Sequence, residues 1–297
     1  MTATAGLRRA PEIAVSAHRH IDLLTRIVIL MVLALLLVFI LLPLFWMLKS
    51  SFQTNFEVQA IPPVWLPENP SVEPYDLAGQ LIPLWRYIAN SLYVSTAAAV
   101  IAAALSAMAA YVLARFRFPG ATLILALILL TQLIPSVTRI FPVYFLIQDM
   151  GLLNTFSGMI FAYVGFSIPF AVLLLRGYFQ TSCPPELEEA AMMDGCTYFG
   201  AFWRVILPVS LPGIAAVTVF TFLNAWNDFL WASLLLSSGE MKTIQVGIGE
   251  FATESGVSNY QNAFMAACVI STLPALILFF FVQRWLVGGL TAGAVKT

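Results

Sequence analysis

Charge is scarce in this chain. Only 10% of its 297 residues are charged, against about 25% in an ordinary soluble domain, so most of the chain is not built to face water. The 14 Lys and Arg nearly balance 15 Asp and Glu, for a net charge of −1. With no basic run, it offers nothing to nucleic acid. His18 and His20 are the only histidines, both near the N-terminus. That excludes a Ser–His dyad or a His–Glu–His zinc site inside a membrane. No G-x-x-x-x-G-K-[ST] phosphate loop occurs, which argues against an ATPase site in this chain. Cys183, Cys196 and Cys268 lack ligand spacing and read as free thiols, with no metal site and no disulfide framework. A potassium-filter-like segment is also missing.

What the chain has instead is hydrocarbon: 60% hydrophobic residues and a mean hydropathy of +0.90. A helix needs about 20 apolar residues to cross a bilayer. Six segments meet or approach that length: 27–48, 91–113, 121–142, 157–176, 210–236 and 262–287. The first exceeds the usual signal-peptide core of about 7–15 residues and has no small-x-small cleavage site after it, so it is expected to be a retained span. The expectation is an all-α membrane protein with six transmembrane helices, one domain over 27–287 between tails at 1–26 and 288–297.

With six spans, one side of the membrane collects Arg8, Arg9, Arg19, Arg26, Arg115, Arg117, Arg176, Arg204, Arg284 and Lys296. The other holds Lys49, Arg86, Arg139 and Lys242. The positive-inside rule therefore puts both termini and the segment at 177–208 in the cytoplasm. The outer loop at 49–90 carries Pro62, Pro63, Pro67, Pro70 and Pro74, too many for a long helix. Pro135 predicts a bend in the third span, with a short interfacial helix after it. A second outer loop, 237–261, is rich in Gly, Ser and Glu.

One cytoplasmic stretch stands out as polar. Pro184-Pro185 suits a first helical turn, and Glu186, Glu188 and Glu189 complement the positive end of its dipole. Thr181 or Ser182 is the expected cap. The spacing predicts a helix over 184–194 stopped by Gly195, and a second from Thr197 to about Ile206 ending before Pro208. Together, 184–206 makes a knob presenting Glu, Ala and Met on one face, where Ala190 and Ala191 would let a partner approach closely. An ordinary acidic loop remains the alternative on local physics alone.

The stretch Glu189-Ala190-Ala191, Gly195 and Val205-Ile206-Leu207-Pro208 resembles the EAA signature of ABC-importer permeases, with valine in place of isoleucine as its one departure. The resemblance implies the type I importer permease fold. It makes this segment the coupling helix that docks on a separate ATPase dimer, with Glu186, Glu189, Ala190, Ala191, Asp194, Gly195, Leu207 and Pro208 as contacts. The chain end from Gln283 to Lys296 resembles the tail of maltose-type sugar-importer permeases, most of all the six-span member of the maltose permease pair. Gly151-Leu152-Leu153-Asn154-Thr155 and Trp226-Asn227-Asp228-Phe229-Leu230 carry the likeness further. It implies that Thr291, Ala292, Gly293 and Lys296 reach the ATPase, and that the loop around Glu254, Ser255 and Gly256 reaches an extracytoplasmic sugar-binding protein. ATP and magnesium would belong to the ATPase; no cofactor is expected in this chain.

Inside the spans, a central Asp costs roughly 2.5–3.5 kcal/mol. Counted from residue 210 at about 1.5 Å per residue, Asp228 lies about 27 Å along, near the outer edge. On a continuous helix Asn224, Asn227 and Asp228 share one face. With Trp226 and Trp231 beside them, that face offers hydroxyl-binding groups and stacking surfaces, the chemistry of a sugar path. Hydrogen-bonded glue between helices is the competing reading. Gln132, Ser136 and Thr138 on the third span, and Tyr163 and Ser167 on the fourth, are further candidates. The expected function is a permease subunit of an ATP-driven, binding-protein-dependent sugar importer in a bacterial inner membrane, forming half of the pathway beside a second homologous permease. A related importer for glycerol phosphate or a polyol is the alternative, followed by a proton-coupled transporter.

Overall fold

A computed structural model describes residues 23–254 and 259–292. Among them all regular structure is helical. Four helices are long and apolar enough to cross a membrane, and six spans result if each of two bent pairs is one span. Residues 1–46 and 47–297 form separate units. Helix α1 (Leu23–Ser50), with 28 residues, reaches about 42 Å at 1.5 Å per residue. Its side chains are exposed from Thr25 to Phe45, apolar on every face as in a helix solvated by lipid.

The second unit opens with α2 (Asn55–Val58) and α3 (Glu73–Leu81), short as the prolines require. Thr54 and Glu57 form a reciprocal capping box on α2. The Thr54 backbone N–H holds the Glu57 carboxyl below the ordinary carboxylate range. Lys49 Nζ donates to the Val64 carbonyl at 2.7 Å and to Gln53 Oε1 at 2.9 Å, pinning this loop to the end of α1.

Helix α4 (Leu84–Arg115) runs through the centre of the unit. Its buried stripe reads Ser91, Val94, Ser95, Ala98, Ala99, Ala102, Ala103, Ser106, Ala107, Ala110. In lipid there is little hydrophobic drive between helices, so small side chains that allow close approach supply the packing. Against that stripe lie α7 (Phe156–Ser182) and α11 (Leu211–Trp226), and α14 (Gln261–Ala292) packs on α11. At Gly213 on α11 a Cβ would sit 2.8 Å from the Tyr178 ring, so only glycine allows that approach of α7.

Two expected spans are not single helices. The third, expected over 121–142, is α5 (Ala121–Leu133), a 3-10 turn at Ser136–Arg139 and α6 (Ile140–Asp149), bent by 103°. Pro135 has no N–H to donate and sits at the bend. The fifth, expected over 210–236, stops at Trp226 and resumes as α12 (Leu230–Leu235). Between α6 and α7, Gly151 (φ 69°) and Asn154 (φ 55°) turn the chain, and Thr155 caps α7 through Gly158 N at 3.0 Å. Asn154 Oδ1 accepts from the backbone N–H groups of Ser237 and Ser238 at 3.0 Å, tying that turn to the loop after α12. The segment after α12 then forms α13 (Ile244–Glu254).

Candidate functional site

The polar segment begins with α8 (Glu186–Met193). Pro185 opens it without a side-chain cap. Thr181 Oγ1 instead donates back to the Gly177 carbonyl at 3.0 Å, and Ser182 is the last residue of α7, so neither is the expected cap. The stop is as expected: Gly195 adopts φ 87°. Gly195 N–H reaches the Met192 carbonyl and Cys196 N–H the Ala191 carbonyl, both at 3.0 Å. These two bonds are the Schellman pattern, which uses a left-handed glycine to satisfy carbonyls at a helix end.

Successive residues on α8 rotate by about 100°, so its three carboxylates cannot share a face. Glu186 and Glu189 are exposed together with Ala190 and the C-capping Asp194. Glu188 points inward and is buried. It accepts from Tyr111 Oη at 3.2 Å and pairs with Arg115 Nε, whose guanidinium also donates to the Cys183 carbonyl. Ala191, one turn along, is 6% exposed. It belongs to the inner face, so the expected partner contact at Ala191 is corrected to a packing position. The knob is thereby clamped to the end of α4 by a buried ion pair. Removing one partner of such a pair costs about 3–5 kcal/mol.

The rest of the knob is less regular than expected. Thr197 caps α9 (Tyr198–Ala201), then Phe202–Ile206 forms a π turn, and α10 (Leu207–Val209) continues through Pro208. The helix does not end before Pro208, as expected from its sequence. The π turn has already shifted the ladder, with Leu207 N–H bonded to the Phe202 carbonyl. The chain turns instead at Ser210, with a 75° bend between 198–209 and 211–226. Ser210 Oγ donates to the Ile206 carbonyl at 2.6 Å and lies 3.2 Å from Cys183 Sγ. Pro208 is exposed and Leu207 half-buried. Met193, Tyr198, Phe199 and Trp203 add exposed apolar surface beside the acidic face.

A second site lies between the end of α5, the middle of α7, the C-terminal half of α11 and the start of α12. A cleft of about 280 Å³ is lined by Gln132, Arg139, Tyr163, Phe166, Ser167, Phe170, Phe220, Asn224, Ala225, Asp228 and Trp231. Asp228 Oδ2 accepts from Tyr163 Oη at 2.8 Å and from the Ala232 N–H at 3.0 Å, capping α12. Asn224 donates to its own helix at the Phe220 carbonyl and is exposed. Gln132, Tyr163, Ser167, Asn224 and Asp228 thus come together as expected.

Four expected path residues do not join them. Because α11 ends at Trp226, Asn227 is its C-cap, exposed and outside the cleft lining. Trp226 is 1% exposed, stacked on Phe222 at 5.7 Å, with its indole N–H on the Ser271 carbonyl at 3.3 Å. It is a core residue and offers no stacking surface. Ser136 and Thr138 are exposed on the 3-10 turn, outside the lining. Ser255, Gly256, Gly293 and Lys296 lie outside the described residues, as do the side chains of Glu254, Thr291 and Ala292.

Residues 102–291 match the family of binding-protein-dependent transport system inner membrane components. The chain belongs to this family. It is a permease subunit, and its relatives are permeases of carbohydrate importers. It is 35% identical to the diacetylchitobiose uptake system permease protein DasC of Streptomyces coelicolor, over 86% of this chain and 91% of that one. It is 37% identical to the maltose/maltodextrin transport system permease protein MalG of Vibrio vulnificus, over 86% and 91%. A crystal structure of a bacterial ABC transporter involved in import of the acidic polysaccharide alginate superposes with a TM-score of 0.80, at 23% identity, over 90% of this chain and 98% of that one. The permease therefore has the fold of an ABC importer's membrane subunit, and it is a multi-pass membrane protein.

The matched stretch contains the whole knob and every cleft residue. Two charged residues of the permease were not given their structural roles from its sequence. Glu188 was legible, since it and Ala191 lie three apart and share a helix face away from Glu186 and Glu189. Arg139 was used only to assign orientation. Its place inside an apolar stretch was the signal, because an ionisable group there marks a pathway by default.

Proposed function

We propose that this permease forms half of the sugar pathway of an ATP-driven importer, beside a different but homologous permease, with both termini in the cytoplasm. The single observation that carries its coupling role is the division of α8 into two faces. Glu188 fixes one face to α4, while Glu186, Glu189 and Ala190 remain exposed for a partner. An ATPase dimer docked there would pull on α4 through the Glu188–Arg115 pair, not only on the neighbouring α7. Helix α4 packs along α7 and α11, which carry Tyr163 and Asn224 to the cleft. Closure of the ATPase on ATP and magnesium would so reshape the path. A binding protein delivers the sugar from outside. The cargo of the relatives supports a saccharide: diacetylchitobiose and maltose for the two above, and trehalose for the SugB permease of Mycobacterium tuberculosis.

Glu189→Lys tests the docking face. The charge reversal should remove most ATPase from the purified complex, and most of the hydrolysis stimulated by the binding protein, while the permease itself stays folded. Unchanged ATPase recovery and stimulation would sink the assignment.

A further inference from the structure

The cleft holds one cation and one anion, and they are not paired with each other. The known ion pairs among the described residues join Arg86 to Glu240, Arg115 to Glu188 and Lys242 to Glu250. Arg139 takes part in none of them. Its Nε is buried without an acceptor, and its Cζ lies 5.2 Å from the centroid of the Phe166 ring. A buried guanidinium N–H is costly unless it finds an acceptor. The ring face attracts the cation but accepts none of its in-plane N–H bonds. Asp228 has the opposite need met in part: Tyr163 and the Ala232 N–H both serve Oδ2.

We propose that Arg139 and Asp228 are the two charged poles of a half-site that selects a neutral saccharide. The inference rests on the sugar-importer reading and deepens it. A sugar hydroxyl can satisfy either pole while carrying no charge, accepting from the guanidinium and donating to the carboxylate. A uronate or sulfonate would gain at Arg139 and be repelled at Asp228; an amine would suffer the reverse. The half-buried Phe170 in the lining supplies apolar surface for a sugar ring, and the second permease would close the other half. At about 280 Å³ the cleft is just under the usual range of about 300–1,000 Å³ for a complete small-molecule site, which fits a half-site.

The test uses the full complex in lipid vesicles with its binding protein. Labelled maltose, trehalose and diacetylchitobiose serve as neutral probes and digalacturonate as the acidic one. Wild type should take up a neutral probe. Arg139→Gln and Asp228→Asn should each lower the sugar carried per ATP hydrolysed by about tenfold, the loss of one charge-assisted hydrogen bond. Arg139→Lys should recover part of it. A residue with only a structural role would lower uptake and hydrolysis together and leave that ratio unmoved. An unchanged ratio in both variants overturns the proposal. So does loss of complex assembly in Arg139→Gln, which would place its acceptor on the second permease, and so does a preference for digalacturonate. If wild type carries no saccharide at all, the sugar reading itself fails and takes this inference with it.

Discussion

The knob at 186–210 and the cleft differ in how their residues meet. In the knob the exposed face comes from a single short run of chain, and helical spacing decides which way each side chain faces. Tyr111 and Arg115 on α4 clamp that run in place from its inner side. The cleft draws on α5, the 3-10 turn, α7, α11 and the link to α12, from Gln132 to Trp231. Spacing there has meaning only within each piece. A contiguous site can be read from order; an assembled one can be read only from residue type.

The largest expected effect tests the two faces of α8. Glu188→Ala should leave Arg115 buried without its carboxylate and cost about 3–5 kcal/mol, seen as a lower thermal unfolding midpoint of the detergent-purified permease. Glu186→Ala, on the exposed face, should stay within about 0.5 kcal/mol. Equal losses would mean that the helix does not divide its carboxylates as described.

A smaller effect is expected at the bend. At Gly195 a Cβ would meet nothing within 4 Å, yet φ is 87°, so any penalty is conformational and not steric crowding by neighbours. Gly195→Ala should cost about 1–2 kcal/mol, and Gly195→Asn less, because asparagine tolerates the left-handed region better. The order of unfolding midpoints should run wild type, then Asn, then Ala. If Ala matched wild type, the knob's geometry would not depend on that bend.

Spans were legible because a bilayer imposes a length and a lack of charge, and both survive in a one-dimensional string. The break in the third span was legible for a local reason, Pro135. The break in the fifth was not read, although Asn227 and Asp228 are residues that favour helix ends: one caps α11 and the other accepts from the Ala232 N–H at the start of α12. Projecting a continuous helix through them put Asn227 and Trp226 beside the path. The bond from Tyr163, 65 residues away, to Asp228 at 2.8 Å leaves no signature in sequence spacing. Arg139 stayed hidden for a related reason, since its partner ring, Phe166, belongs to another helix.

The smallest effect is the sharpest test of where helix α11 stops. Asn224 and Asn227 have the same side chain and lie three positions apart, so a continuous helix would make them near-equivalents on one face. With the helix ending at Trp226, Asn224 lines the cleft and Asn227 does not. Asn227→Ala should therefore leave both stability and uptake close to wild type, within about 0.5 kcal/mol. Asn224→Ala should lower uptake without loss of complex assembly, because its amide also serves its own helix at Phe220 and the helix can lose that bond without unfolding. Matching losses of uptake in the two variants would restore the continuous helix and return Asn227 to the path. Loss of assembly in Asn224→Ala would make that residue interhelical glue and leave the cleft to Arg139, Asp228 and their rings.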